Sequence, residues 1–136
     1  MIGLREAGTR TPFGSAPERN AETVRPGDHV RYRCRSCRTP ITDGSAVFGP
    51  AGAPAVQAFT NPEGRLCEVL TVTRAEPLVL VGPAIREFTW FSGYAWRIAL
   101  CGRCTVHLGW RYEAEQGASP PCFYGLLVSE LEEERE

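Results

Sequence analysis

The chain has 136 residues, 43% of them apolar, and a formal net charge of −1. That length suits one domain with a core of its own, and the near-zero charge gives no bulk attraction to nucleic acid or an anionic membrane. No stretch approaches the roughly 20 apolar residues that span a bilayer, and Met1 to Asn20 lacks the apolar centre of a secretory signal, so a reducing cytoplasm is the expected setting.

Residues 1–27 are rich in Arg, Thr, Pro, Gly and Ala without a period, and are expected to form a flexible or loosely docked arm. Pro26-Gly27-Asp28 is a turn signal, and the folded body, residues 28–129, is expected to begin there. His29 to Arg33 alternates with period two. Ala55 to Phe59, Leu66 to Thr73 and Leu78 to Val81 read as further strands, the last closed by Gly82-Pro83. Glu87 to Phe91, Tyr94 to Leu100, Leu108 to Ala114 and Phe123 to Val128 complete the set. Residues 130–136 are charged nearly throughout and are expected to be an acidic solvated tail or a frayed last helical turn. With eleven Pro, fourteen Gly and no sustained helical period, the fold class is mostly β and antiparallel.

Six cysteines in a reducing compartment point to metal ligands and spare thiols before disulfides. Cys34-Arg35-Ser36-Cys37 and Cys101-Gly102-Arg103-Cys104 are both C-x-x-C. Two intervening residues let both sulfurs of a pair face one ion at about 2.3 Å. Each pair follows a strand-like run, and Gly102 is expected to ease the tight turn of the second. Four thiolates leave no open position for water, so the expected zinc ion is structural, and it ties together two parts of the chain that lie far apart in sequence. A redox dithiol in each pair, or two unrelated disulfides, are the competing readings. Cys67 lies in an apolar strand and reads as a buried inert thiol. Cys122 would need a basic partner to act as a nucleophile, and the two histidines, His29 and His107, are both distant in sequence.

Trp90, Trp96 and Trp110 are the three tryptophans. Tyr112 shares a strand face with Trp110, because residues two apart on a strand point the same way. An aromatic core is one reading of this cluster. The other is a cage of indoles around a flat, compact ligand, with backbone groups supplying the polar contacts. A quaternary ammonium would also suit such a cage through cation–π attraction.

Glu87 to Trp96, followed by Cys101-Gly102-Arg103-Cys104 and His107-Leu108-Gly109-Trp110-Arg111-Tyr112, resembles the thalidomide-binding (CULT) domain of cereblon. Asn61-Pro62-Glu63-Gly64 and Phe123-Tyr124-Gly125-Leu126 extend the resemblance, which runs from about Asp28 to Glu130. It implies a β-tent, two antiparallel sheets meeting near the zinc site. It also implies a non-enzymatic cage of Trp90, Trp96 and Trp110, with Tyr112 closing one side, for a cyclic imide of the glutarimide type or a uracil-like ring. Asn61 and Pro62 would line the rim. The Phe88 carbonyl would accept the imide N–H, and the Trp90 N–H would donate to an imide carbonyl. Phe88 stands where vertebrate cereblon has a His, which removes a side-chain donor. The Lon-like domain and the helical region that dock full-length cereblon onto a ubiquitin ligase have no counterpart in this sequence. The implied protein is therefore a stand-alone binding domain, with a small imide or uracil-like ligand, or a protein C-terminus ending in a cyclic imide, as its partner.

Methionine-R-sulfoxide reductases of the B type share a zinc β-tent and offer a catalytic alternative. His107-Leu108-Gly109 resembles their motif. Their last strand carries a nucleophilic Cys, whereas here that strand reads Phe123-Tyr124-Gly125-Leu126-Leu127, with Cys122 out of register.

Overall fold

A computed structural model describes residues 29–135. Within them the chain runs β1 (Val30–Cys34), β2 (Pro40–Asp43), β3 (Val56–Thr60), β4 (Leu66–Val72), β5 (Leu78–Ile85), β6 (Tyr94–Cys101), β7 (His107–Ala114), β8 (Cys122–Leu127) and β9 (Leu131–Arg135). The three-stranded sheet has the order β2-β1-β9, and the six-stranded sheet the order β3-β4-β8-β7-β6-β5. Every pairing is antiparallel. The expected class, mostly β with two antiparallel sheets and a four-cysteine cluster, is the class observed. No helix among the described residues is long and apolar enough to cross a membrane.

The large sheet has a core on each face. Successive side chains on a strand point to opposite faces, so β8 divides residue by residue. Leu126, with Leu70 and Val72 of β4, packs toward the small sheet against Cys34, Ile41, Ala46, Cys101 and Leu131. Phe123 packs on the other side with Phe91, Tyr94 and Tyr112. That second core is ring against ring. Phe91 meets Tyr112 and Phe123 edge-on at centroid distances of 4.8 and 5.1 Å, and Tyr112 stacks on Phe123 at 5.1 Å. Gly125 makes this geometry possible. A Cβ there would lie 2.8 Å from Val69 Cγ1 and 3.1 Å from the Tyr112 ring.

Several expectations are corrected. Glu87 to Phe91 is a turn-rich loop, although Glu-Phe-Thr-Trp-Phe has strand-like composition. Phe88 takes φ +62°, a left-handed value that ends any extended run, and the Tyr94 N–H closes a turn onto the Phe91 carbonyl. β5 does not stop at Gly82-Pro83. It continues to Ile85 through a bulge between Val81 and Ile85, and Pro83 is tolerated because β5 is an edge strand. The acidic end is solvent-exposed over Glu133 to Arg135, but it is an ordered strand, β9 (Leu131–Arg135), entered through a short 3-10 turn that ends at Glu130, and not a free tail. Its glutamates meet the arginines of β1, with Arg31 opposite Glu134 and Arg33 opposite Glu132. Arg33 Nε lies 2.7 Å from Glu134 Oε1, and Leu131 is buried beneath the ladder. β2, which was not expected, pairs with β1. The expected arm of residues 1–27 lies outside the described residues.

Candidate functional site

The two C-x-x-C loops fold as the same turn. The Arg38 N–H donates to the Cys34 carbonyl at 2.7 Å, and the Thr105 N–H donates to the Cys101 carbonyl at 2.9 Å. One residue further on, Thr39 and Val106 return their carbonyls to the N–H groups of Cys34 and Cys101. Arg38 and Thr105 both take the left-handed conformation, at φ +68° and +65°. The left-handed position thus follows the second cysteine of each pair, and Arg35 occupies in the first loop the place that Gly102 has in the second. Gly102 is therefore not required by the turn. It is required by its neighbour, since a Cβ there would sit 2.8 Å from Pro77 Cβ.

The loops face each other across the junction of the sheets and place the four sulfurs within 4.8 Å of one another. Sulfurs about 2.3 Å from a tetrahedral ion are about 3.8 Å apart. Cys34 and Cys104 are separated by 3.7 Å, and Cys37 and Cys101 by 3.6 Å. Spacing and donor type together fit one zinc ion held by Cys34, Cys37, Cys101 and Cys104, with no position left for water. Donors also approach the sulfurs from outside: the Thr39 hydroxyl lies 3.0 Å from Cys37 Sγ and the Arg103 N–H 3.4 Å from Cys101 Sγ. In the metal-free chain these surroundings split the thiols. Burial pushes Cys34 up to about 12, whereas the Thr39 hydroxyl brings Cys37 down to about 6.

The second feature lies on the aromatic face. Asn61, Pro62, Phe88, Trp90, Trp96, Trp110 and Tyr112 line one open cleft of about 250 Å³. The structure thus gathers all seven residues that the sequence singled out around a ligand. β6 and β7 present Trp96 directly opposite Tyr112, with Trp110 two residues before it. Trp90 comes from the loop and meets Trp110 edge-on at 5.1 Å. Trp96 Nε1 donates to the Glu87 carbonyl at 2.7 Å, tying loop to strand. Asn61 organises the opposite lip. Its Oδ1 accepts from the N–H groups of Glu63 and Arg65, and its own N–H closes onto the Arg65 carbonyl. Burial raises the Tyr112 hydroxyl above its ordinary range, so it stays a neutral phenol.

Two residues that line the cleft carry backbone groups without a protein partner. Among the described residues, neither the Phe88 carbonyl nor the Trp90 N–H has a hydrogen-bond partner. The Phe88 ring is 71% exposed, and its backbone holds a conformation that costs a non-glycine residue about 1 kcal/mol or more. An aromatic ring in solvent, a strained φ and two unpaired backbone groups therefore fall within three consecutive residues.

Among the described residues, no cysteine lines this cleft. Cys122 pairs with Glu113 on β7, one residue out of phase with Tyr112, and so points to the other face of the sheet. Cys67 is buried opposite Phe59. The residue that sequence reasoning missed is Phe59 itself, which stacks flat on Trp90 with centroids 4.8 Å apart and planes within 6°. His107, which resemblance had placed in a motif, also meets Trp110 edge-on at 5.0 Å. Position in the chain gives no signal for either contact beyond an aromatic at the end of a strand.

Comparison with known proteins matches residues 30–130 to the family model Yippee-Mis18, described as Yippee zinc-binding/DNA-binding /Mis18, centromere assembly. Protein cereblon of Danio rerio is 40% identical over 100 residues, covering 72% of this chain and 23% of that protein. The Gallus gallus protein of that name is also 40% identical over 100 residues, and the Drosophila melanogaster one 32% identical over 107. The chain spans less than a quarter of the length of these relatives.

Proposed function

The chain belongs to the Yippee-Mis18 family and forms a zinc-binding domain of the cereblon type, and from that premise we propose that its tryptophan cleft is a non-enzymatic binding site for a cyclic imide or a uracil-like ring. The observation that supports this reading most is the pair of unpartnered backbone groups, the Phe88 carbonyl and the Trp90 N–H, beside three indoles. A cyclic imide has an N–H flanked by carbonyls and an apolar edge. In the proposed complex the ring N–H donates to the Phe88 carbonyl, and the Trp90 N–H donates to a ring carbonyl. The apolar edge packs on Trp90, Trp96 and Trp110 and against Tyr112, with Asn61 and Pro62 at the rim. Binding takes these groups out of water, and a polar group buried without a partner costs about 1–3 kcal/mol, so a ligand that fails to pair them is penalised. A ring with the wrong donor and acceptor order leaves two such groups unpaired and is rejected by that cost.

Phe88 supplies only its backbone to the ring. The contact a His side chain would add is absent, so the polar contacts to the ring rest on the loop backbone. A protein C-terminus ending in a cyclised Asn or Gln presents the same ring and would enter by the same contacts. With no cysteine lining the cleft among the described residues, a sulfoxide reductase has no nucleophile there. The proposed setting is a reducing cytoplasm, where the four thiols stay available to zinc.

Titration of zinc-loaded protein with free glutarimide, followed by tryptophan fluorescence beside a Trp96→Ala control, tests the proposal. Saturable quenching in the parent that disappears in the control is the expected outcome. A folded parent protein that neither quenches nor binds glutarimide or uracil by calorimetry would refute it.

A further inference from the structure

Two of the three cage indoles stand on strands. Trp96 lies within β6 and Trp110 within β7, so backbone pairing across the hairpin fixes where they project. Trp90 has no such support. It sits in the loop between β5 and β6, and its own N–H has no partner among the described residues. The bonds flanking it are long: the Thr89 N–H reaches the Arg86 carbonyl at 3.3 Å, and the Phe91 N–H reaches the Thr89 hydroxyl at 3.4 Å. Backbone hydrogen bonding does not set the plane of this indole.

Ring contacts do. Phe59, the fourth residue of β3, stacks on Trp90 with centroids 4.8 Å apart and planes within 6° of parallel. The same ring meets Phe91 edge-on at 5.3 Å, so it grips two successive residues of the loop. Phe59 does not line the cleft, whereas Trp90 does. It therefore backs the indole from behind and leaves the other face to the ligand. Strand β3 is itself anchored, since Phe59 pairs with Cys67 on β4.

We infer that Phe59 is the positioning residue of the cage: stacked on the rear face of Trp90, it sets the angle of the one indole that no strand holds, and thereby the width of the slot that selects a six-membered ring. This rests on the cage being a ligand site. Aromatic pairs contribute beyond their buried area only in offset-stacked or edge geometries, so the ring's shape matters more than its volume. Leucine at 59 would fill much of the space without offering a plane, and tyrosine would keep the plane.

The test compares Phe59→Leu and Phe59→Tyr with the parent protein, each zinc-loaded and labelled with 5-fluorotryptophan for ¹⁹F NMR. The three indole resonances are assigned with single Trp→Phe variants. Phe59→Leu is expected to shift and broaden the Trp90 resonance while leaving that of Trp96 in place. It is also expected to weaken glutarimide binding about tenfold and to narrow the preference for glutarimide over succinimide, the five-membered ring. Phe59→Tyr is expected to restore both within about twofold. A role in general stability alone would move all three resonances and the melting temperature together, and would overturn the inference. So would a Phe59→Leu protein with an unmoved Trp90 resonance and parental selectivity. Should the parent protein bind neither ring, the ligand reading fails and the selectivity role fails with it, while the Trp90 resonance still decides whether Phe59 holds the indole.

Discussion

The metal end and the cleft end of the molecule share strands β6 and β7, yet they are built on opposite principles. At the metal end two loops repeat one hydrogen-bonding scheme and four sulfurs converge on one point. At the cleft end, two backbone groups are unpaired, an aromatic ring stands in solvent and one residue is strained. A closed site contributes to stability, whereas an open one presents hydrated groups that a ligand can pair in place of water. The contrast predicts that damage at one end is read as unfolding and damage at the other as lost binding.

Removing zinc should give the largest effect. Structural zinc sites in small domains contribute about 10–16 kcal/mol of apparent binding energy that is also folding energy. A chelator, or Cys101→Ser at a fully buried ligand, is expected to abolish the cooperative thermal transition seen by circular dichroism. A metal-free chain that still melted cooperatively would break the comparison. Trp110→Ala is the counterpart. It removes a half-buried indole at a cost of about 1–3 kcal/mol and should leave zinc content unchanged, while glutarimide affinity falls at least a hundredfold by calorimetry.

Gly125→Ala falls between the two. The added methyl meets Val69 and the Tyr112 ring, and overpacking of this kind costs about 1–3 kcal/mol. Both the melting temperature and ligand affinity are expected to drop, because Tyr112 belongs to the core and to the cleft. Phe88→Gly sharpens the contrast from the other direction. Glycine accepts φ +62° without strain, and the backbone carbonyl stays, so stability should rise by up to about 1 kcal/mol with binding retained. A marked loss of stability would mean that the exposed ring packs after all.

The smallest effect belongs to Asp43, the last residue of β2 in the small sheet. Its carboxylate accepts from the Ser45 hydroxyl and N–H and faces Arg74, and these contacts hold it below the usual carboxylate range. A depressed acid contributes stability that is present above its unfolded value, about 3.9, and is lost as the pH falls through the folded value. Asp43→Asn keeps an acceptor for Ser45 and removes the charge facing Arg74. At this solvent-screened position the expected cost is about 0.2–1 kcal/mol at pH 7, shrinking as the pH falls below about 4 and through the lower folded value. Comparing the two proteins at each pH cancels the zinc release that acid causes in both.

How far each end was legible in the sequence follows from how local its determinants are. Each C-x-x-C declares itself within four residues, and only the conformation of Arg38 and Thr105 had to come from the structure. Most strands were visible because alternation is local as well. β9 was misread because Glu134 finds Arg33 on β1 and Glu132 finds Arg38 just beyond it, each about a hundred residues away in sequence, and an unpartnered run of acids reads as solvated. The loop from Glu87 to Phe91 was misread because strand-like composition cannot reveal one left-handed residue at Phe88. That the residues now seen to line one cleft belong together was suggested by family resemblance, since indoles at 90, 96 and 110 are equally compatible with a core. Phe59 stayed hidden because its contact with Trp90 is purely tertiary.

The division of β8 between two cores has a consequence for genetics. Tyr124 and Leu126 look toward the metal, while Phe123 and Gly125 look toward the rings. A saturation screen scored separately for soluble yield and for retention on an imide resin should show two patterns alternating from codon to codon along this strand, with substitutions at 124 and 126 depleting yield and those at 123 and 125 depleting yield and retention together.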